Sequence, residues 1–241
     1  SSLHPAISGG SPRNTLIYGK TGTGKSLVTK HVTRSAQRYA GNQGVEMGRA
    51  YVDCTQSSTE TRVVVNLARE LNNPERTGIS IPETGLSTDA YYHRLWQILD
   101  ELYDVVIVIL DEIDKLGEDE DLLYDFPRAN AMGELDNAEV GIVGISNNFK
   151  FRENLSQRVK FTLCEKEIQF APYDANELRS ILDYYADLTF HDDILDDDVV
   201  PLAAALTAQD SGDARMALDL LETAGDIARH EGDETVTTSH V

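Results

Sequence analysis

The stretch TLIYGKTGTGKSLVTKHV, residues 15–32, decides the fold of this chain. It contains the pattern G-x-x-x-x-G-K-[ST] at residues 19–26. An apolar run, residues 15–18, precedes the pattern, and residues 27–38 follow it with helical spacing. Strand, glycine loop and helix in this order predict a phosphate-binding loop, because glycine lets backbone N–H groups surround phosphate oxygens and the helix N-terminus adds positive potential. A plain glycine turn that starts a helix is the alternative interpretation.

Seven residues of this loop are predicted to bind a nucleotide. In such a loop the lysine reaches the β and γ phosphates, and the hydroxyl of the last residue binds Mg²⁺. These two roles fall on Lys25 and Ser26. The predicted nucleotide-binding residues are Gly19, Thr21, Gly22, Thr23, Gly24, Lys25 and Ser26.

A second stretch, VVIVILDEIDKL at residues 105–116, places acids directly after six apolar residues. Such a run fits a strand that is buried on both faces, as in a parallel sheet, and Asp111 and Glu112 would lie at its carboxyl end, where ligands collect. Taken alone, the acids are better explained as the cap of a following helix. Together with the glycine loop they predict a catalytic pair, in which Asp111 holds the Mg²⁺ shell and Glu112 activates a water molecule.

The composition limits the class of protein. The chain has 241 residues, 41 acidic and 21 basic, with a formal net charge of −20. This acidic balance predicts a halophile's cytoplasm, where salt screens the repulsion, and it argues against nonspecific nucleic-acid binding at low salt. We expect reduced thiols at Cys54 and Cys164, and no membrane segment, because the longest apolar run is far shorter than about 20 residues. The acidic runs at 117–125 and 191–200 are interpreted as solvated helix starts.

The order of elements predicts a three-layer α/β fold with a parallel sheet of about five strands. The strands are expected at residues 15–18, 49–54, 105–110, 140–146 and 166–172, with helices between them at 57–73, 87–102 and within 122–135. After residue 172 only helices are predicted, at 174–190, 197–210 and 212–230. We therefore expect a nucleotide-binding domain, residues 1–172, and a helical lid, residues 173–241, in which ETVTTSHV begins a closing helix.

Five segments, IYGKTGTGKS, VIVILDEIDKL, GISNN, LSQRV and SGDARMALDLLETAGDIA, together resemble one family. It is the archaeal replication initiators that unite the large origin-recognition subunit with cell division control protein six, which are AAA+ ATPases. The resemblance implies that the chain binds ATP or ADP with Mg²⁺ and hydrolyses ATP slowly in isolation. It also implies three kinds of partner: double-stranded origin DNA, further copies or other initiator subunits, and the replicative helicase.

The same resemblance implies roles for further residues. Asn147 matches the polar sensor of the γ-phosphate, Arg215 matches the second sensor on the lid, and Arg158 matches the arginine finger that completes a neighbour's site. In this family an insertion that resembles residues 82–100 distorts duplex DNA, so Gly85 and Arg94 are the candidate DNA contacts. Family members usually begin earlier and continue into a winged-helix domain, so the chain resembles the ATPase core alone.

Two other classes share the glycine loop. A small-molecule kinase needs a pocket for the phosphate acceptor, whereas the pair Asp111 and Glu112, with Asn147 on the next strand, favours activation of water. A signalling switch NTPase would share most of the core, and its usual fused sensor domains do not occur in this sequence.

Overall fold

The computed structural model describes residues 4–116, 120–191 and 194–241. Five strands form one sheet in the order β2-β3-β4-β1-β5, and the described pairings β2 with β3, β3 with β4 and β4 with β1 are parallel. Each strand overlaps a predicted one, so the parallel α/β sheet is confirmed. The strands are β1 Thr15–Gly19, β2 Met47–Asp53, β3 Val105–Asp111, β4 Glu139–Ser146 and β5 Lys166–Phe170.

Helices occupy most of the connections between these strands. Two of the long helices begin with side-chain caps: Ser87 caps α5 and Asp174 forms a capping box on α10. The helices are α1 His4–Ile7, α2 Lys25–Asn42, α3 Glu60–Leu71, α4 Pro74–Thr77, α5 Thr88–Leu102, α6 Asp121–Asp125, α7 Ala129–Met132, α8 Phe151–Asn154, α9 Gln157–Leu163, α10 Ala175–Thr189, α11 Val199–Asp210 and α12 Ala214–Glu231. Short 3₁₀ turns lie at Ile113–Lys115 and Phe126–Arg128.

Strand β3 lies at the centre of the core, and all seven of its residues are buried. Val106, Val108 and Leu110 belong to one cluster with residues of α3 and α5. Ile107 and Ile109 are equally buried, and they point to the opposite face because successive strand residues alternate. Helices α2 and α3 both pack on β2. Cover on both faces explains why the β3 sequence is apolar without interruption.

Two predicted helices differ from the structure. The helix expected within 122–135 is broken into α6, a 3₁₀ turn and α7, because Pro127 lacks the N–H that would continue it and Gly133 ends it with φ 78°. The closing helix expected at ETVTTSHV is wrong for these residues, since Val236 instead forms a bridge with Leu195. The neighbouring threonines and valine favour extended backbone over helix. The predicted acidic helix starts fall partly on residues 117–119 and 192–193, which lie outside the described residues.

The chain divides into two compact units. One contains the residues up to Tyr18 and Lys25–Gln169, and the other contains Gly19–Gly24 and Phe170–Val241. The second unit has its own core between α10, α11 and α12, which includes Leu178, Leu182 and Leu221. Because the glycine loop groups with the C-terminal helices, the predicted boundary after residue 172 stays a prediction.

Both cysteines are free, Cys54 buried and Cys164 partly buried. None of the described helices combines the length and apolar character that a membrane crossing needs.

Candidate nucleotide site

Asp111 is the last residue of β3 and is buried, with 6% of its surface exposed. The sheet places it beside Asp53, its register partner on β2. One carboxylate oxygen, Oδ1, accepts a hydrogen bond from the Glu112 backbone N–H at 3.0 Å. The other, Oδ2, accepts from the Tyr51 hydroxyl at 2.6 Å. The carboxylate is therefore held at both oxygens at the edge of the sheet where the sequence predicted it.

Glu112 follows in an unusual backbone conformation. Its φ of 52° is the one positive value among the described non-glycine residues. Strain of this kind persists where the surrounding structure enforces it, and it often marks functional residues. The side chain of Asn147, which follows the adjacent strand β4, donates a hydrogen bond to Glu112 Oε1. The structure thus brings together Asp111, Glu112 and Asn147, the three residues predicted at these strand ends.

The environment of Glu112 changes its basicity. Burial raises the pKa of the Glu112 carboxyl, and the nearby carboxylates of Asp114 and Asp111 raise it further, while Lys115 and Lys25 act in the opposite direction. Asp114 in turn accepts a 2.6 Å hydrogen bond from the Ser146 hydroxyl at the end of β4. A carboxylate with raised pKa is a better proton acceptor than an exposed one, which suits a general base.

Lys25 and Ser26 are the first two residues of α2, a helix of 18 residues. Lys25 is buried, with 5% of its surface exposed, and Ser26 is partly buried. A buried ammonium and a hydroxyl at a helix N-terminus are groups that bind phosphate and Mg²⁺. Together with the buried carboxylate of Asp111, the Lys25 ammonium and the Ser26 hydroxyl form a set of groups that fits a nucleotide bound with Mg²⁺.

The glycine loop has the backbone form that phosphate binding requires. Gly22 and Gly24 have φ of 73° and 79°, which side chains with a Cβ rarely adopt. The hydroxyl of Thr23 donates to the Lys20 carbonyl oxygen at 2.9 Å and closes the loop on itself. The loop residues predicted to surround the phosphates, Gly19–Gly24, lie in the second unit.

Within that unit the loop touches the start of α12. The backbone N–H of Ala214 donates to the Gly22 carbonyl oxygen at 3.2 Å. A Cβ built on Gly22 would overlap the Asp213 carboxyl group, so a side chain there would displace Asp213 as well as strain the backbone. Asp213 also caps α12 by accepting from the backbone N–H groups of Arg215 and Met216. Arg215, the predicted second sensor, is therefore held at the exposed first turn of the helix that contacts the loop.

Arg158, the predicted arginine finger, lies on α9 and is exposed. Its guanidinium forms a 2.8 Å ion pair with Asp121 and lies 5.0 Å from the centroid of the Tyr124 ring. Both partners belong to α6, on which α9 packs. In this chain Arg158 is thus engaged by its own unit.

The two candidate DNA contacts lie before and on α5. Gly85 is exposed with φ 100°, in the loop that precedes the helix. Arg94 is partly buried, and its guanidinium donates to the Ser80 carbonyl oxygen. This contact ties the helix to the segment that leads into the loop.

A group that sequence reasoning missed lies near the end of the chain. Glu231, Asp233 and His240 bring their ligand atoms within 4.8 Å of one another. The Nδ1 of His240 accepts from the Thr237 backbone N–H at 2.9 Å, so its proton lies on Nε2, 3.2 Å from Asp233. With its proton on Nε2, the ring donates to the Asp233 carboxylate, and the hydrogen bonds of the cluster tie the end of the chain to the residues after α12.

Tyr51, Asp114 and Ser146 were also missed at the predicted site itself. Their roles depend on which strands are neighbours, and strand order is not visible in spacing along the chain. Tyr51 had one available signal, its place two residues before Asp53 on a predicted strand.

Comparisons with known proteins identify the family of the chain. The family described as AAA domain matches residues 9–144, and the family described as Cdc6 AAA+ ATPase-type lid domain matches residues 179–241. The structure and these matches define an AAA ATPase core that carries a Cdc6-type lid. The family match over the sheet implies a nucleotide-binding protein.

Relatives and solved structures narrow the class. The chain is 50% identical to the ORC1-type DNA replication protein 4 of Halobacterium salinarum over 239 residues, 99% of this chain and 57% of that protein. It is 43% identical to the ORC1-type DNA replication protein of Pyrococcus horikoshii, again over 99% of this chain and 57% of that protein. A solved structure of the Aeropyrum pernix ORC1 protein in complex with DNA matches with TM-score 0.83 and 42% identity, over 99% of this chain and 60% of that chain. The chain therefore belongs to the family of AAA ATPases that includes the archaeal Orc1 and Cdc6 replication proteins.

The chain spans somewhat over half the length of these relatives. The resemblance seen in the sequence motifs is thus confirmed at the level of the family. The prediction of a halophilic source from the acidic composition agrees with the similarity to a Halobacterium protein. The Pyrococcus relative shows that the family also occurs in other archaea.

Proposed function

We propose that the chain is the ATPase part of a replication initiator, which binds ATP or ADP with Mg²⁺, hydrolyses ATP slowly by itself, and acts in the cytoplasm. One observation carries this proposal above the others: Asn147 donates a hydrogen bond to the carboxylate of Glu112, the residue that directly follows the buried Asp111. A nucleotide-binding site needs the buried Asp111 for its metal, and a second acid oriented by an amide side chain favours activation of an attacking water.

The proposed roles follow from the chemistry of each group. Lys25 neutralises phosphate charge at the start of α2, while Ser26 and Asp111 hold the metal. Mg²⁺, when bound with ATP, offsets the negative charge that phosphoryl transfer concentrates on the phosphate oxygens. Glu112 accepts the proton of the attacking water, and its raised pKa strengthens it as a base. Asn147 orients that carboxylate and senses the γ-phosphate.

Two arginines complete the proposed site from elsewhere. Arg215 lies at the start of α12 and reports on the nucleotide through the contact of that helix with the glycine loop. Arg158 serves the site of a neighbouring copy or another initiator subunit. To do so it must exchange its ion pair with Asp121 for phosphate oxygens, and this exposed pair is weak enough to exchange.

We further propose that the chain contacts origin DNA through residues 82–100, with Gly85 and Arg94 as the principal donors. The related Aeropyrum pernix ORC1 protein was solved in complex with DNA, which supports this partner. With a net charge of −20 the chain offers few phosphate contacts, so donors must come from backbone N–H groups and single side chains. The replicative helicase is a further proposed partner, and we assign its loading to the full length of a replication initiator.

The experiment that tests the ATPase uses two substitutions and their controls. Lys25→Ala should abolish binding of ATP, whereas Lys150→Ala, at an exposed lysine of the same unit, should leave it unchanged. Glu112→Gln should bind ATP like the wild type and release no phosphate, because the amide keeps the shape and cannot accept a proton. Glu101→Gln, on the exposed face of α5, is its control. Binding is measured by calorimetry and hydrolysis by release of free phosphate. Normal turnover in Glu112→Gln would reject the assignment of the base.

The same assay separates the other two classes. A small-molecule kinase would transfer phosphate to a metabolite and release little of it free. A signalling switch NTPase would hydrolyse ATP without a response to origin DNA or to self-association. An increase in ATP hydrolysis on addition of origin DNA, or on self-association, supports the replication initiator.

A further inference from the structure

Tyr51 contacts the proposed metal site, although no motif includes it. We propose that Tyr51 is a positioning residue for Mg²⁺. Its hydroxyl fixes the orientation of the Asp111 carboxylate. The inference rests on the proposed function, in which Asp111 belongs to the metal shell. It extends that function to a residue on the neighbouring strand, outside the loop and the acidic pair.

The register of the sheet brings the two side chains together. Asp53 is paired with Asp111, and Tyr51 is paired with Ile109, two residues earlier on each strand. Residues two apart on a strand point to the same face and lie about 7 Å apart, so Tyr51 points to the same face as Asp111. A tyrosine side chain is long enough to run along the strand over this distance. Its hydroxyl donates to Asp111 Oδ2 at 2.6 Å.

This bond completes the support of the carboxylate. Oδ1 is held by the Glu112 backbone N–H at 3.0 Å and Oδ2 by Tyr51, so rotation of the carboxylate plane would break one of the bonds. Each carboxylate oxygen offers two lone pairs, and one on each oxygen remains for the metal or its water. Such outer partners orient the ligands in metal sites generally.

A second contact ties Tyr51 to the helix that carries Ser26. The Nζ of Lys30 lies 3.4 Å from the centroid of the Tyr51 ring, a cation–π contact. Lys30 follows Ser26 by four residues on α2, so both lie on the same face of that helix. Tyr51 therefore links the two proposed Mg²⁺ ligands, Asp111 directly and Ser26 through one turn of helix.

The alternative is a tyrosine whose hydroxyl merely needs a partner in the fold. Tyr103 offers the matched case, because its hydroxyl also makes one hydrogen bond in the same unit, to the Leu71 carbonyl oxygen at 2.8 Å. Tyr51→Phe and Tyr103→Phe each remove a single oxygen atom and one hydrogen bond. We expect the two variants to have a similar effect on folding, and only Tyr51→Phe removes a hydrogen bond from the proposed metal ligand Asp111.

The experiment measures Mg²⁺ dependence of binding, without hydrolysis. A fluorescent ATP analogue is titrated into each protein in EDTA and at increasing Mg²⁺. For Tyr51→Phe we expect the wild-type affinity in EDTA, and a Mg²⁺ concentration for half-maximal tightening that is about 10–100-fold higher. Tyr103→Phe should show the wild-type Mg²⁺ dependence, and thermal unfolding of both variants checks that they fold.

Asp111→Ala distinguishes failure of this inference from failure of the proposed site. If Asp111→Ala loses the Mg²⁺ dependence while Tyr51→Phe keeps it, Tyr51 is structural and the inference is wrong. If Asp111→Ala itself keeps the Mg²⁺ dependence, Asp111 is not in the metal shell, and both the proposed site and the inference are overturned. An equal shift in Tyr51→Phe and Tyr103→Phe also overturns the inference, because loss of stability would then explain it.

Discussion

The contact between Gly22 and Asp213 can be tested by a double-mutant cycle. Gly22→Ala forces a residue with a Cβ into φ 73°, which costs about 1–2 kcal/mol of folding free energy. The new Cβ also meets Asp213 Oδ1 at 1.6 Å, so that side chain must leave. Leaving forfeits the cap of α12, worth about 0.5–2 kcal/mol. The expected total is about 1.5–4 kcal/mol.

Two comparisons isolate the second contribution. Gly44→Ala imposes the same backbone strain, with φ 77° and no atom within 4 Å, so it should cost about 1–2 kcal/mol alone. In an Asp213→Ala background the cap is already lost and the carboxyl group that the new Cβ would meet is absent, so Gly22→Ala should cost about as much as Gly44→Ala. The coupling between the two sites is then about 0.5–2 kcal/mol.

The assay is urea unfolding followed by far-ultraviolet circular dichroism, with all five proteins in the same molar potassium salt. Stabilities are compared from the midpoints at a common m-value. An equal cost of Gly22→Ala with and without Asp213 would refute the contact. It would also remove the argument that the glycine loop responds to the start of α12.

Three further predictions concern the proposed activity. Burial and the nearby Asp114 raise the pKa of Glu112, so the rate of ATP hydrolysis should fall on acidification at a higher pH than for an exposed glutamate. Asp114→Asn should move this fall to lower pH. Phosphate release measured against pH tests both statements. A monomer should hydrolyse slowly, since an arginine supplied by a neighbour is worth about 10³–10⁵ in rate, and fast turnover in a monomer verified by light scattering would contradict the role of Arg158. DNA binding should be weak with a shallow salt slope, and Arg94→Ala should weaken it while Arg179→Ala, on α10, does not; fluorescence anisotropy of an origin duplex in molar potassium salt measures both.

Much of the fold was predictable because its signals are local. The glycine loop, the apolar run of β3 and the helices α5 and α10 each depend on neighbouring residues, and all appear where they were predicted. The two predictions that failed did so for different reasons, one from a residue within its own segment and one from a contact outside it. Pro127 divides the helix expected within 122–135, and Val236 pairs with Leu195 where a helix was expected.

The sequence by itself predicted which groups would carry the chemistry: the lysine and hydroxyl at the start of α2, and the two acids at the end of β3. Only the tertiary structure decided how they are supported. Strand order places Tyr51 on Asp111 and Asn147 on Glu112, and folding of the second unit places Asp213 against Gly22. These partners are between 35 and 191 residues apart in the chain. Spacing along a sequence reports local geometry, whereas such contacts arise when strands and helices pack.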